Sequence, residues 1–246
     1  MSAGIVRVLE VDRELGEGLD AERLRQAMAA VRAATRELPP GAWDEPDWPA
    51  PVRQGLGLLV LDGLLVRRVQ LVGRFGAELL SAGDVLRPWQ EQDEATASIE
   101  RSSGWRVLER AHVAVLDVAF ARRIAPYPEI QGQLLGRTLR RARNLTAIIA
   151  IVHQPRVDAR LLMLLWHLAD RCGVVRREGV LVPMRLTHAI MADLVAARRP
   201  TISAALSALQ RNGLVSSTRE GWLLSGSPQG ELAALAESAR ASASHA

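Results

Sequence analysis

The residues best equipped for chemistry lie together between Arg185 and Val215, in RLTHAIMADLVAARRPTISAALSALQRNGLV, and that chemistry is recognition rather than catalysis. Arg198 and Arg199 stand beside Pro200, Thr201 and Ser203, with Ala204 and Ser207 close behind. In a helix starting at Arg199, the apolar positions Ile202, Ala205, Leu206 and Leu209 make one inward stripe, which leaves the Arg, Thr and Ser side chains on or near the outer face. Guanidinium groups fork onto guanine edges in a DNA major groove, and hydroxyls and free helix-start amides take phosphates. Pro200 is tolerated in the first turn, where a missing N–H costs little.

Several elements must position that end. Thr187 predicts an N-cap for a first helix running from His188 to Val195, and Ala196-Ala197 predicts a tight corner after it. Asn212-Gly213 ends the second helix; LVSS, a turn at Thr218 to Gly221, and WLLS then predict the two strands of a wing. Upstream, VDARLLMLLWHLADRCG predicts an apolar core helix, and VVRREGVLVPMRL a hairpin about Arg177-Glu178-Gly179.

These residues resemble the winged helix-turn-helix of the Crp/Fnr family of bacterial transcription factors, sharply over Asp158 to Leu224 and diffusely upstream. Asp158-Ala159-Arg160 is similar to the family's D-x-R helix start. The resemblance implies a sequence-specific DNA-binding regulator, dimeric on an inverted-repeat operator. It makes Arg199 and Pro200 the leading base-reading positions and Ala204 the one a turn later, where many members carry a second arginine. Thr187, Arg198, Thr201 and Ser203 become phosphate-positioning groups, and Ser207 lies on the same DNA-facing side.

EIQGQLLGRTLRRARNLTAIIAIVHQ predicts a long helix with two apolar sides, one for its own domain and one for a partner, ended by Gln154-Pro155 as the hinge. Ile130, Leu134, Thr138, Leu145, Ile149 and Val152 line one side, with Leu135, Leu139, Ala142 and Ile148 adjoining. The resemblance makes this the dimer helix, with the first six as its interface. Arg137, Arg140, Arg141 and Arg143 read as a solvated charge run.

In the N-terminal half, IVRVLEV predicts a short strand, and Asp20 a capped helix over AERLRQAMAAVRAATREL. Gly41 to Gln54 has loop composition, with Trp43 and Trp48 lying across the sheet that follows. From Leu56 the apolar period shortens. Asp62-Gly63, Ala82-Gly83-Asp84, Ser102-Ser103-Gly104 and Arg110-Ala111 predict turns between five to eight short antiparallel strands, a jelly roll resembling the family's cyclic-nucleotide-binding domain. Asp117 to Ile124 predicts a short helix ended by Pro126 and Pro128.

The roll departs from the family's pocket pattern. No Gly-Glu pair precedes Arg101-Ser102-Ser103, the one Arg-hydroxyl run between Val85 and Ser103, and that run reads as a strand end. Cyclic AMP dependence is therefore not expected, and no cofactor is assigned. Trp89 and Trp105 read as core.

Composition excludes other classes. The roll span holds only His112, too few ligands for a metal site, so no metal and no enzyme activity are expected; the other histidines carry no ligand spacing. Cys172 alone rules out an internal disulfide framework. No apolar run reaches the roughly 18 residues of a membrane span, and the N-terminus carries acids where a signal peptide needs an apolar run, so a cytoplasmic location without membrane contact is expected. Residues 1–136 carry 16 Arg against 20 Asp plus Glu, and residues 137–246 carry 15 Arg against 7, a balance of −4 beside +8 that suits one nucleic-acid-binding domain joined to one that is not.

The chain thus reads as α+β: an N-terminal antiparallel β jelly roll of cyclic-nucleotide-binding type over 1–128, a long dimerisation helix and hinge over 129–154, a C-terminal winged helix-turn-helix over 155–226, and a tail over 227–246. Double-stranded DNA and a second copy are the expected partners, with RNA polymerase or a regulatory protein as a further one. The competing reading is a protein-interaction module in which the roll holds a regulatory partner and DNA binding is secondary or absent.

Overall fold

A computed structural model describes residues 3–44, 46–90 and 101–230. The chain divides into two units that part between Asn144 and Leu145; residues 74–77 group with the second.

In the first unit the strands are β1 (Ala3–Arg7), β2 (Arg32–Leu38), β3 (Gly41–Trp43), β4 (Gly57–Leu71), β5 (Arg74–Ser81), β6 (Val85–Leu86) and β7 (Arg101–Leu116). They pair in the order β1-β2-β7-β4-β5, with β3 on β7 and β6 on β4. The paired registers are antiparallel, as the jelly-roll reading requires.

Alternation along β4 and β7 builds two cores. Leu58, Val60 and Val113 pack with Trp48, Leu80 and Trp89, while Leu59, Ala114 and Leu116 pack with Val8, Leu15, Phe120 and Ile130 on the other face.

Three predicted turns dissolve into these long strands. β4 is one strand of 15 residues that passes straight through Asp62-Gly63. The register against β7 shifts there, and Asp62 Oδ1 accepts the His112 backbone N–H at 3.0 Å. Gly63 has φ +87°, and a Cβ on it would lie 2.4 Å from the Arg110 carbonyl oxygen, so the Asp-Gly signal marks a bulge in close contact with β7 rather than a hairpin. The hairpin falls at Val72-Gly73, both at positive φ, 46° and 74°, as a two-residue type I′ turn requires. Likewise β7 runs 16 residues through Ser102-Ser103-Gly104 and Arg110-Ala111.

The N-terminal segment also departs from its local pattern. β1 ends at Arg7, and Val8–Val11 forms a helical turn, α1. The helix capped by Asp20, α2 (Ala21–Ala30), stops eight residues early, and RAATREL becomes β2 between β1 and β7, with Ala33 and Leu38 buried. Pairing on both sides outweighs the helix propensity of its Ala, Arg, Glu and Leu. The tryptophan-rich stretch holds β3 and a short helix, α3 (Ala50–Arg53); Trp43 sits edge-on to Trp105 at 5.7 Å, and Trp48 lies 5.9 Å from Trp89.

Asp117 caps α4 (Val118–Ile124) through the Phe120 amide at 2.7 Å. Pro128 does not end that helix but begins the next, α5 (Pro128–Val152), where proline's fixed φ suits the first turn.

In the second unit α6 (Val157–Cys172) buries Leu161, Leu162, Leu164, Leu165, Trp166 and Leu168. Strands β8 (Val174–Arg176) and β9 (Gly179–Val182) follow, then α7 (His188–Leu194), α8 (Arg199–Arg211), β10 (Val215–Ser217) and β11 (Trp222–Leu224). The sheet order β10-β11-β9-β8 joins the upstream hairpin and the wing into one sheet. Of the predicted tail, residues 231–246 lie outside the described residues.

Candidate nucleic-acid interface

The Thr187 oxygen accepts the Ile190 amide at 3.3 Å and fixes the start of α7, whose Ile190, Met191 and Leu194 are buried. At the corner Ala196 takes φ +52°, and the Ala197 amide donates to the Ala192 carbonyl at 2.9 Å. A small side chain suits that left-handed position. Helix α8 then begins at Arg199 with Pro200 in its first turn, and buries Ile202, Ala205, Leu206 and Leu209.

With that face fixed against the domain, Arg198, Arg199, Pro200, Thr201, Ala204 and Ser207 are all exposed. Ser207 already donates its hydroxyl to the Ser203 carbonyl at 2.9 Å, so it faces a partner chiefly as an acceptor. Ser203 stands apart from the others. It is half-buried, donates to the Arg199 carbonyl at 3.2 Å, and lies 2.9 Å from His188 Nδ1. Sequence spacing gave His188 no role because the contact joins two helices 15 residues apart.

Arg219 is a further exposed cation that the sequence reading did not single out. It rides the β10–β11 turn, where Thr218 Oγ1 accepts the Glu220 and Gly221 amides at 3.2 and 3.0 Å. An arginine at the tip of a predicted wing was the available signal.

The D-x-R start ties this unit together. Arg160 Nη1 donates to the Val195 carbonyl at 3.3 Å, and its Nε donates to the Gln154 carbonyl. Asp158 takes Arg156 in two hydrogen bonds, and this contact holds its carboxyl below the usual carboxylate range. Half-buried Cys172 has its thiol pushed up by burial, which leaves it a packing residue rather than a nucleophile.

Residues 159–225 match the family model described as the Crp-like helix-turn-helix domain. The second unit therefore carries a Crp-like helix-turn-helix domain. The fold of the chain is that of several solved proteins, all distant in sequence. A CooA mutant from Carboxydothermus hydrogenoformans is 16% identical, with TM-score 0.62 over 94% of this chain and 95% of that one. A cyclic nucleotide-binding domain containing protein from Listeria monocytogenes EGD-e is 15% identical, with TM-score 0.63 over 87% and 97%. TTHB099, a CRP-family transcriptional regulator from Thermus thermophilus, is 22% identical, with TM-score 0.53 over 81% and 94%. No curated protein matches the chain in sequence.

The long helix sorts its apolar residues differently from the sequence reading. Ile130 and Leu134 are buried in the chain's own N-terminal core, so they are not available to a partner. Thr138, Leu145 and Ile149 are exposed, Val152 is half-buried, and Leu135 and Leu139 are 60% and 52% exposed. The arginines divide too. Arg137 is buried, with Nη2 2.7 Å from Asp12 Oδ1 and Nη1 on the other oxygen, and Arg141 pairs in two bonds with Glu78. Each of these two reaches back to an acid of the N-terminal domain, so neither belongs to a solvated charge run.

In the roll, Arg101, Ser102 and Ser103 are exposed and pair with Leu71, Gln70 and Val69 of β4. They begin β7 rather than end a strand. Residues 91–100, between them and the Gly83-Asp84 turn, lie outside the described residues. Among the described residues no group of three or more His, Cys, Asp or Glu side chains is placed to hold a metal, and no helix is long and apolar enough to cross a membrane.

Proposed function

We propose that the chain acts as a homodimer on an inverted-repeat operator and binds it without cyclic AMP. The observation that carries the DNA reading is the division of α8. Its apolar stripe is fully packed, so the end bearing Arg198, Arg199 and Thr201 is the part free to enter a major groove. Arg199 reads a guanine, worth roughly 1–3 kcal/mol of discrimination. Thr187, Arg198 and Thr201 position phosphates, which sets affinity more than sequence choice. Ala204 has no hydrogen-bonding group, so the base opposite it is read by methyl contact or not at all.

The dimer reading rests on the exposed seam of α5. Leu135, Leu139, Ala142, Leu145 and Ile149 follow one another at four- or three-residue steps, and a monomer leaves them wet. Two α8 helices about 34 Å apart then meet successive major grooves. Independence from cyclic AMP is supported by the sequence, which lacks the Gly-Glu pair ahead of its one Arg-hydroxyl run. RNA polymerase or a regulatory protein is the further partner such a regulator needs.

Selection of genomic DNA fragments by the purified protein, with and without cyclic AMP, tests all three parts. One inverted-repeat motif in both runs is expected. A motif seen only with the nucleotide would sink the ligand independence, a single half-site would sink the dimer, and no motif in either run would favour the protein-interaction reading.

A further inference from the structure

The roll and the helices that follow it do not close completely on one another. Beside the helix-facing core lies a cavity of about 450 Å³, floored by Val85 of β6 and Leu116 of β7 and walled by Ala121 and Ile124 of α4 and Leu134 of α5. The residues that line it all fall between Leu56 and Thr138, so one copy of the first unit builds the site by itself. It lies on the other face of the sheet from the core that holds Trp48 and Trp89.

Packed interiors leave few voids larger than one water, and this one is on the scale of small-molecule sites, about 300–1,000 Å³. Its walls are also pinned. The Leu56 amide donates to the Leu116 carbonyl at 2.7 Å, and a Cβ on Gly55 would lie 2.3 Å from that same oxygen. Arg141 of α5 donates Nη1 to the Val85 carbonyl at 3.0 Å and pairs with Glu78, while the Asp117 cap holds the start of α4. The cavity is therefore preformed, and its lining cannot collapse into it without breaking these bonds.

The chemistry of the lining selects the occupant. No charged side chain is among the described residues around the cavity, so a phosphate or carboxylate entering it would lose hydration and gain no counter-charge. Val85, Leu116, Ile124 and Leu134 are buried and present only hydrocarbon. The two polar side chains, Gln131 and Thr138, stand about two turns apart on the exposed rim of α5. Thr138 spends its hydroxyl proton on the Leu135 carbonyl at 2.7 Å, and Gln131 turns its amide nitrogen to the Ile124 carbonyl at 3.4 Å. What each keeps for a ligand is an acceptor oxygen.

We propose that this cavity binds a neutral small molecule with an apolar body and one hydroxyl or N–H donor. The body rests on Val85, Leu116, Ile124 and Leu134, and the donor meets an acceptor on the α5 rim. The site is complete within the first unit and stands whether or not the chain binds DNA. Leu135, which is 60% exposed, belongs both to its mouth and to the apolar seam of α5. A second copy paired along that seam is thus the competing occupant, and the test separates the two.

The test uses the full-length protein and N-phenylnaphthylamine, a neutral fluorophore with one N–H on an aromatic hydrocarbon body. Its emission should rise saturably to one probe per chain. Ala121→Phe on α4 and Thr138→Phe on α5 fill the cavity from opposite walls, and each should weaken binding on the order of tenfold or more. Thr138 is exposed, so its variant keeps the wild-type unfolding midpoint and decides the matter if Ala121→Phe does not fold. Thr138→Val keeps the shape and removes one acceptor, for a loss of about 2- to 10-fold. Anilinonaphthalene sulfonate, which adds a charge to the same rings, should not displace the probe, and Leu139→Glu with Ile149→Glu should bind it as the wild type does. No saturable binding by the wild type, or binding undiminished in a folded filling variant, would overturn the proposal. Displacement by the sulfonate would overturn the neutral class, and binding confined to the chain with both glutamates would make a second copy the occupant instead.

Discussion

Arg160 Nη1 donates to the carbonyl of Val195, 35 residues along the chain, at 3.3 Å, while its Nε holds the Gln154 carbonyl. One guanidinium thereby joins the segment just after α5 to the corner between α7 and α8. Arg160→Met keeps the aliphatic stem and removes both bonds. At about 1.5–3 kcal/mol for hydrogen bonds to a charged donor, the second unit should lose on the order of 2 kcal/mol. Differential scanning calorimetry should place its midpoint roughly 8–16 °C lower, with α8 orientation and operator affinity degraded together. An unchanged midpoint would mean the two carbonyls are satisfied equally well by water.

Arg137 and Asp12 make the corresponding tie in the N-terminal domain, with side chains 5% and 14% exposed. Removing one partner strands the other charge in the interior. Arg137→Met alone should destabilise this domain by about 3–5 kcal/mol, while Arg137→Met with Asp12→Leu should recover most of the loss. Thermal unfolding of the two variants decides it; equal damage from both would mean that packing rather than charge sets the cost.

The second unit was legible in the sequence element by element, while the roll was legible as an antiparallel β domain but not in its strand boundaries, for reasons tied to where the signals act. Thr187, Pro200 and Gly213 are local punctuation, each acting within a turn of itself, and the helix and wing boundaries follow them within a residue or so. In the roll, Asp62-Gly63 and Ser102-Ser103-Gly104 look like turns, yet the ladder between β4 and β7 overrides both by pairing residues about 30 to 60 positions apart. RAATREL becomes a strand for the same reason. The site divided likewise: Arg199 and Thr201 came from spacing, while His188 needed the packed pair of helices to be seen.

Sequence choice and raw affinity should separate between two adjacent arginines. Arg199→Ala should relax specificity at one base pair of each half-site, costing roughly 1–3 kcal/mol against the preferred base. Arg198→Ala should weaken binding to all sequences about equally and lower the salt slope by about 0.9 per protomer. Repeating the fragment selection with each variant distinguishes them. Full specificity in Arg199→Ala would displace α8 as the reading helix.

Burial, and then the neighbouring Arg171, holds the His167 imidazolium below the usual histidine range. The unfolded chain therefore binds a proton first as pH falls, and stability drops between the unfolded value near 6.5 and the depressed folded one. The loss starts on acidification and is absent above neutrality. His167→Gln removes the titration, so the gap in unfolding midpoint between variant and wild type should shift in the variant's favour from about pH 8 to about pH 5. A gap constant across that range would show the ring to be solvated in both states.

The exposed seam of α5 gives the sharpest separation between folding and assembly. Leu139 and Ile149 are 52% and 56% exposed in the single chain, so a charge at either place disturbs little of its own packing. Burying that charge against a second copy carries an uncompensated desolvation cost. Leu139→Glu with Ile149→Glu should therefore sediment as a monomer with an unfolding midpoint close to that of an isolated wild-type protomer. Losing the second half-site removes the intramolecular advantage, and operator affinity should fall by about 10²–10⁴-fold while a single half-site is bound as before. If the variant remained dimeric, the partner surface would have to lie elsewhere, and the apolar steps from Leu135 to Ile149 would need another occupant.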